Sequence, residues 1–299
     1  MRTYDYLIGG HSIRLPEGHD LPETQEFHRR YDFILGELAR LVSEKYPGST
    51  RIDIGANVGD SWALMNKHVV SDTLLVEGDP TYTELLEFNM GRLGHPAQIC
   101  KVFCGVSEKK ILETDIVRGG GTSSIWNAPK GNNTESEFLG DTKPEVPMLT
   151  FQQLLDLNPK FKESKLIKLD TDGYDFSILK ANASLLSKMQ ATLFYECAPY
   201  AVDENIMVGV SASIESFLEI NKFFKSFIIY DNYGHFMCSF EGDESIKKYL
   251  ELMVFNISSH MDDKHPIIYY YDIVAFTTEN YDLYTRLKDY EISRFFPKS

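Results

Sequence analysis

The stretch Arg51-Ile52-Asp53-Ile54-Gly55-Ala56-Asn57-Val58-Gly59-Asp60-Ser61 decides the fold. Arg51–Ile54 reads as a strand running into a glycine-containing turn, and Ser61–Val69 reads as the helix behind it. Glycines let the backbone turn sharply at a strand end and approach a ligand with no Cβ in the way. The first amides of the following helix are free and favour polar or anionic ligand atoms. In α/β sheets such turns lie beyond the carboxyl ends of the strands, where ligands lodge. The spacing is Gly-x-x-x-Gly after an aspartate, so neither the Gly-x-Gly-x-x-Gly dinucleotide fingerprint nor the Gly-Lys-Ser/Thr phosphate loop is present. Asp53 suits a cationic amino-acid end better than a pyrophosphate. A purely structural turn is the plainer alternative.

Outward from this turn the chain alternates short apolar runs with helical stretches. Strands are expected at Thr73–Val76, Gln98–Val106, Leu166–Leu169 and Ala191–Tyr195. Helices are expected at Thr81–Leu93, Tyr174–Ala181 and Ile214–Phe223. That alternation implies an α/β fold with a mostly parallel, doubly wound sheet covered on both faces. Phe227–Tyr230 and Ile267–Thr277 are expected to pair antiparallel at one edge. On the N-terminal side, residues 1–22 carry Gly9-Gly10, Pro16 and Pro22 and read as an irregular arm. Gln25–Lys45 reads as one amphipathic helix ended by Pro47-Gly48. The expected division is an arm and helix over 1–48 and one domain over 49–299. Residues 119–147, rich in Gly, Pro, Asn, Ser and Thr, read as a lid or acceptor-binding loop within that domain.

Bulk properties exclude several classes. The 299 residues are 43% hydrophobic and 25% charged, the profile of a folded chain rather than a disordered one. Thirty basic against 44 acidic residues give a formal charge of −14, so nucleic acid is not an expected partner. No apolar run is long enough to span a membrane, and no apolar signal core follows Met1. Cys100 and Cys104 have no second Cys or His pair to complete a zinc site. Reduced, structural cysteines in a cytoplasmic protein are expected. The many Tyr and Phe rings of the last third, Tyr269-Tyr270-Tyr271 among them, read as core, with a sugar-stacking platform as the other reading.

Two further segments bring carboxylates to the same edge as the glycine turn. In Val76-Glu77-Gly78-Asp79-Pro80, Glu77 ends a strand 22 positions after Gly55. A carboxylate there can accept hydrogen bonds from ribose hydroxyls. Gly78 lets the chain pass close by, and Pro80 starts a helix. The run Leu166-Ile167-Lys168-Leu169-Asp170-Thr171-Asp172-Gly173-Tyr174-Asp175 delivers Asp170 and Asp172 together. Paired carboxylates split their pKa values, so one can act as a base near neutrality. Alternatively, Asp170 and Asp172 bind a divalent metal with Glu196 from the next strand end. Asp175 reads as a helix cap. His235 is a second candidate base, set against the plain reading of a solvated loop histidine.

Together these segments resemble the FkbM-type family of S-adenosylmethionine-dependent methyltransferases. The resemblance rests on the Asp53–Gly59 loop, the Glu77–Pro80 turn and the Lys168–Leu179 strand–helix unit, and covers roughly residues 50–200. Asp172 and Asp175 depart from it, standing where the family has glutamates. Phe194-Tyr195-Glu196 resembles the family's next strand, and Gly121-Thr122-Ser123-Ser124 its serine-containing loop. Phe103-Cys104-Gly105-Val106-Ser107 resembles the segment beside the adenine. The N-terminal helix falls outside. The resemblance implies a seven-stranded, Rossmann-like class I sheet with an antiparallel edge. It also implies S-adenosylmethionine bound by Asp53, Gly55, Ala56, Asn57, Gly59, Asp60, Ser61, Glu77, Gly78, Asp79, Cys104, Gly105, Val106, Ser124 and Asp170. The implied reaction is methyl transfer to a hydroxyl of a small molecule or glycan, commonly a sugar, with Asp170, Asp172 and His235 as catalytic candidates. Other acceptors (a protein side chain or a small phenol) and a non-catalytic module are the alternatives. Self-association of the chain is left open.

Overall fold

The computed structural model describes residues 2–125, 145–203, 205–262 and 268–296. A hairpin of β1 (Thr3–Ile8) and β2 (His11–Pro16) opens the chain, followed by α1 (Leu21–Phe27) and α2 (Ile34–Lys45). Next come β3 (Arg51–Ile54), α3 (Asp60–Met65), β4 (Thr73–Val76), α4 (Pro80–Leu93) and β5 (Ala97–Cys100). Five short strands follow: β6 (Phe103–Gly105), β7 (Lys109–Leu112), β8 (Val117–Gly119), β9 (Thr122–Ser124) and β10 (Glu145–Thr150). Then come α5 (Phe151–Leu157), β11 (Leu166–Leu169), α6 (Asp175–Lys188), β12 (Thr192–Cys197) and α7 (Ile206–Ile220). The rest is β13 (Phe224–Asp231), β14 (Phe236–Glu241), α8 (Ser245–Asp262), β15 (Tyr271–Thr277) and α9 (Tyr281–Ser293). Among the described residues no helix is long and apolar enough to cross a membrane.

The central sheet runs β14-β13-β15-β12-β11-β3-β4-β5. Strands β12, β11, β3, β4 and β5 are parallel neighbours, and β15 enters antiparallel between β12 and β13. Every residue of β3, β4 and β11 is buried, which is why their sequences are not alternating. The seven expected strands are present with their antiparallel edge, and β14 adds an eighth by folding back on β13. The chain moves outward from β3 to β5 and then returns to β11 on the other side of β3. This reversal opens a crevice beyond the carboxyl ends of β3 and β11. One face of the sheet packs on α5, α6, α7 and α8 through residues such as Phe151, Phe176, Phe217 and Tyr249. The other packs on α2, α3 and α9 through Leu38, Ala63 and Leu287.

Four local expectations are corrected. Residues 1–22 are not irregular, because Gly9 and Gly10 turn a hairpin whose Ile13 and Leu15 are fully buried. The helix expected over Gln25–Lys45 is broken between Phe27 and Ile34, where Asp32 takes a left-handed conformation (φ 55°). The strand expected over Gln98–Val106 divides between two sheets: β5 stays in the main sheet, and β6 joins β10 and β7. The helix before β13 starts at Ile206, because Asn205 caps it by accepting a hydrogen bond from the Met207 amide. Of the expected 119–147 loop, residues 126–144 lie outside the described residues, and its start forms the β8–β9 hairpin.

The N-terminal hairpin is tied down by one buried side chain. Asn89, on α4, accepts a hydrogen bond from the Arg14 amide (2.6 Å) and donates to the carbonyls of Arg14 (3.0 Å) and Val58 (2.8 Å). Asn89→Ala leaves these groups without their partner and is expected to cost about 2–4 kcal/mol. Urea unfolding should register that loss, and hydrogen exchange should report lowered protection in β1 and β2. Unchanged protection there would show that the hairpin is held by its apolar contacts alone.

Candidate functional site

The site is built on a buried charge. Lys168 on β11 stands in register with Asp53 on β3. Its Nζ lies 3.5 Å from Asp53 Oδ1 and 3.2 Å from Asp170 Oδ2, and donates to the Gly55 carbonyl at 3.2 Å. Burial alone would lower the Lys168 pKa, but the charges of Asp170 and Asp53 raise it well above its ordinary value. Ser61 Oγ donates to the other oxygen of Asp53 at 2.6 Å. The lysine therefore fixes the two strand ends beside each other. It also gives up its charge to carboxylates of the chain itself.

Above this floor, Gly55 has φ 79°, and a Cβ there would stand 1.7 Å from the Asp170 carbonyl oxygen. The turn continues through Asn57, also left-handed (φ 47°), whose amide donates to Glu77 Oε2 at 2.9 Å. The Asp79 amide donates to Glu77 Oε1 at 2.7 Å. Glu77 is only 7% exposed, and burial pushes its carboxyl up to about 7 despite these two amides. A Cβ on Gly78 would sit 2.4 Å from the Phe103 ring, so the ring lies flat on bare backbone there.

A third group of carboxylates ends β11 and β12. Asp170, Asp172 and Glu196 each offer one oxygen, and the three oxygens lie within 4.8 Å of one another. Burial first, and then the charge of Asp170, pushes Asp172 up to about 8. Glu196 is raised well above its ordinary value by burial and then by Asp170 and Asp172. Asp175 does not cap α6 as expected: it is the helix's first residue, Tyr174 holds the cap position without a side-chain bond, and the Asp175 carboxylate instead accepts from the amides of the preceding turn, Thr171 (3.0 Å) and Gly173 (3.3 Å). Burial, and then Asp170, raises it to about 6.

These elements line an open cleft. Of the residues expected at the site, Gly55, Asn57, Asp60, Ser61, Glu77, Gly78, Cys104, Asp170 and Asp172 line it. The others do not. Asp53 lies behind the wall, fully buried and paired with Lys168 and Ser61. Ala56 is core, and Gly59 starts α3. Asp79 caps α4 and holds Arg118 through two bonds of 2.6 and 2.7 Å. Gly105 packs against Met148, Val106 faces outward, and Ser124 Oγ donates to the Asp172 carbonyl at 3.3 Å. His235 is exposed on the β13–β14 turn, where its Nδ1 lies 3.1 Å from Asp231 Oδ2.

The sequence reading assigned no role to Lys168, although a lysine inside the apolar run Leu-Ile-Lys-Leu demands a buried partner. It also missed a wall supplied by His19, Leu21, Thr24, Tyr31 and Asp32. Nothing in His28-Arg29-Arg30-Tyr31-Asp32-Phe33 marks a helix break, for it holds neither glycine nor proline. Burial and the charge of Asp60 push Asp32 up to about 7.

The strand order, the reversal at β3 and the glycine turn over an acidic strand end define a class I S-adenosylmethionine-dependent methyltransferase fold. A family model described as the methyltransferase FkbM domain matches residues 53–235, more than half of the chain, and the chain belongs to that family. No curated protein matches the sequence. Among solved structures, the chain is similar to the FkbM methyltransferase of Methylobacillus flagellatus at 12% identity and a TM-score of 0.36. That match covers 64% of this chain and 51% of the other, so the chain spans about half that protein's length. A putative O-methyltransferase from Klebsiella pneumoniae is similar at 11% identity, with 88% and 92% covered and a TM-score of 0.41. The tRNA (uracil-54, C5)-methyltransferase of Pyrococcus abyssi, in complex with S-adenosyl-L-homocysteine, is similar at 10%, with 93% and 45% covered and a TM-score of 0.40.

Glu77, Asp32 and Asp175 all hold their protons more tightly in the folded chain than in the unfolded one. Stability from such groups is fully present below their unfolded pKa near 4 and is lost progressively as pH rises from there through about 6 to 7. The melting temperature of the ligand-free protein should therefore fall as pH is raised across that window. For Glu77 the change is on the order of 2–3 kcal/mol. Glu77→Gln should flatten the profile, and a mutant curve parallel to wild type would contradict this origin.

Proposed function

We propose that the chain transfers the methyl group of S-adenosylmethionine to a hydroxyl of a sugar, carried on a polysaccharide, a glycolipid or a glycosylated metabolite. The observation that carries this reading is the convergence of Asp170 and Asp172 in the same cleft as Glu77 and the glycine turn. Each oxygen of Glu77 spends one acceptor position on a backbone amide and keeps another for the ribose hydroxyls. Gly78, Phe103 and Cys104 flank the adenine. Gly55 and Asn57 bring backbone to the methionine end, with Asp60 and Asp32 facing its ammonium.

The acceptor oxygen attacks the methyl carbon in line with the carbon–sulfur bond. The donor, when bound, would supply an electrophilic methyl on its sulfonium, and the electron pair of the broken carbon–sulfur bond would leave with sulfur as S-adenosylhomocysteine. Alignment supplies much of the rate, because the sulfonium already makes the methyl electrophilic. Asp170 accepts the hydroxyl proton, and Asp172 and Glu196 orient the acceptor. The three carboxylate oxygens also suit a hard divalent cation. Bound there, such an ion would lower the pKa of the acceptor hydroxyl.

Glu77→Ala should weaken S-adenosylhomocysteine binding by about 1–3 kcal/mol in titration calorimetry, the range for lost hydrogen bonds to a charged group. Unchanged affinity would remove Glu77 from the ribose role. Screened against glycans with labelled donor, Asp170→Asn should fold normally and lose at least about a hundredfold in turnover. Full activity would exclude Asp170 as base. Chelation followed by magnesium or manganese restoration separates the two uses of the carboxylates: turnover indifferent to both treatments leaves the base role alone.

A further inference from the structure

Just past the strand end that carries Glu196 begins an aromatic group that the methyl-transfer scheme does not use. Tyr200 follows the end of β12 by three residues, on the short turn Pro199–Ala201. Its ring stacks on His260 of α8 at 5.5 Å between centroids and meets Tyr269 edge-on at 6.4 Å. Tyr269 closes the triangle on His260 at 6.2 Å. None of the three lines the cofactor cleft. Tyr200 and Tyr269 are each 39% exposed, so the rings are not spent on core packing. Tyr200 lies four residues past Glu196, whose carboxylate belongs to the group at the ends of β11 and β12, and burial and then the charges of Glu196 and Asp172 raise the Tyr200 hydroxyl's pKa.

Polar chemistry at this wall is incomplete. His260 Nδ1 lies 2.9 Å from the Asn256 carbonyl, which can only accept, so Nδ1 carries the hydrogen. Nε2 of the neutral ring is then an acceptor, and it is buried with no partner among the described residues. Aromatic faces, a free nitrogen acceptor and carboxylate acceptors together match a ring with an apolar C–H face and several hydroxyl donors. Charge narrows the choice. Asp170, Asp172 and Glu196 crowd together at the neighbouring strand ends, and Lys168 is already held by Asp53 and Asp170. With no cation bound, a phosphate here would add negative charge beside this crowded carboxylate group.

We propose that Tyr200, His260 and Tyr269 form the acceptor subsite, a stacking wall for an uncharged glycoside that excludes sugar phosphates and nucleotide sugars. This rests on the sugar O-methylation reading above. The test uses the full chain with bound S-adenosylhomocysteine and a panel of methyl glycosides, their phosphorylated counterparts and UDP-glucose, read by saturation-transfer NMR. At least one neutral glycoside should bind, and its phosphorylated form should bind at least about tenfold more weakly. Tyr200→Ala should weaken glycoside binding about tenfold and leave S-adenosylhomocysteine affinity within about twofold, whereas Tyr200→Phe keeps the stack and the affinity. Equal binding of phosphorylated sugars overturns the proposal. So does unchanged glycoside binding by Tyr200→Ala, or no glycoside binding by the wild type. Loss of S-adenosylhomocysteine binding in the wild type would instead strike at the methyltransferase reading itself.

Discussion

A single ammonium group, that of Lys168, sets the terms for everything at the carboxyl edge of this sheet. It is buried on β11 and reaches Asp53 on the neighbouring strand β3 and Asp170 at the end of its own. Burial strips this ammonium of water, and its two carboxylate partners replace that hydration. The Gly55 carbonyl completes its shell, which fixes where the glycine turn begins. That turn brings the Asn57 amide onto Glu77, and Glu77 orders the start of α4 through the Asp79 amide. The parts proposed to hold the donor are thus linked hand to hand from one buried cation.

The same arrangement leaves the cleft acidic. Lys168 neutralises the floor, while Glu77, Asp32, Asp60, Asp170 and Asp172 face the empty space. A sulfonium and an ammonium are at home in such surroundings, and a pyrophosphate is not. The missing second-position glycine of the dinucleotide fingerprint and the charge of the cleft therefore point in one direction.

Much of this was legible in the sequence where chemistry forces a local pattern. Asp53–Gly59, Glu77–Pro80 and Asp170–Gly173 each combine a buried strand with a residue that backbone geometry or hydrogen bonding requires, so the turn and its neighbours could be read directly. What escaped depended on distant partners. The break before α2 arises where Asp32 turns to face residues far along the chain, and no glycine or proline announces it. Asp53 and Asp79 looked like ligand contacts because they flank the motif, but the structure commits them to Lys168, Ser61 and Arg118. The β1–β2 hairpin was hidden because its order comes from Asn89 and the surface of α3 and α4. None of these partners is local.

The position of β15 bears on how the molecule comes into being. This strand lies between β12 and β13, yet it follows both in the chain by 40 residues or more. During synthesis β12 and β13 therefore emerge with no neighbour for their inner edges, and only a late arrival can fill the slot. Arg30 adds a second such tie, pairing with Glu291 of α9 at 2.6 Å across most of the chain's length. A nascent chain stalled before residue 271 would carry two open sheet edges, and its hazard is pairing with another copy of itself.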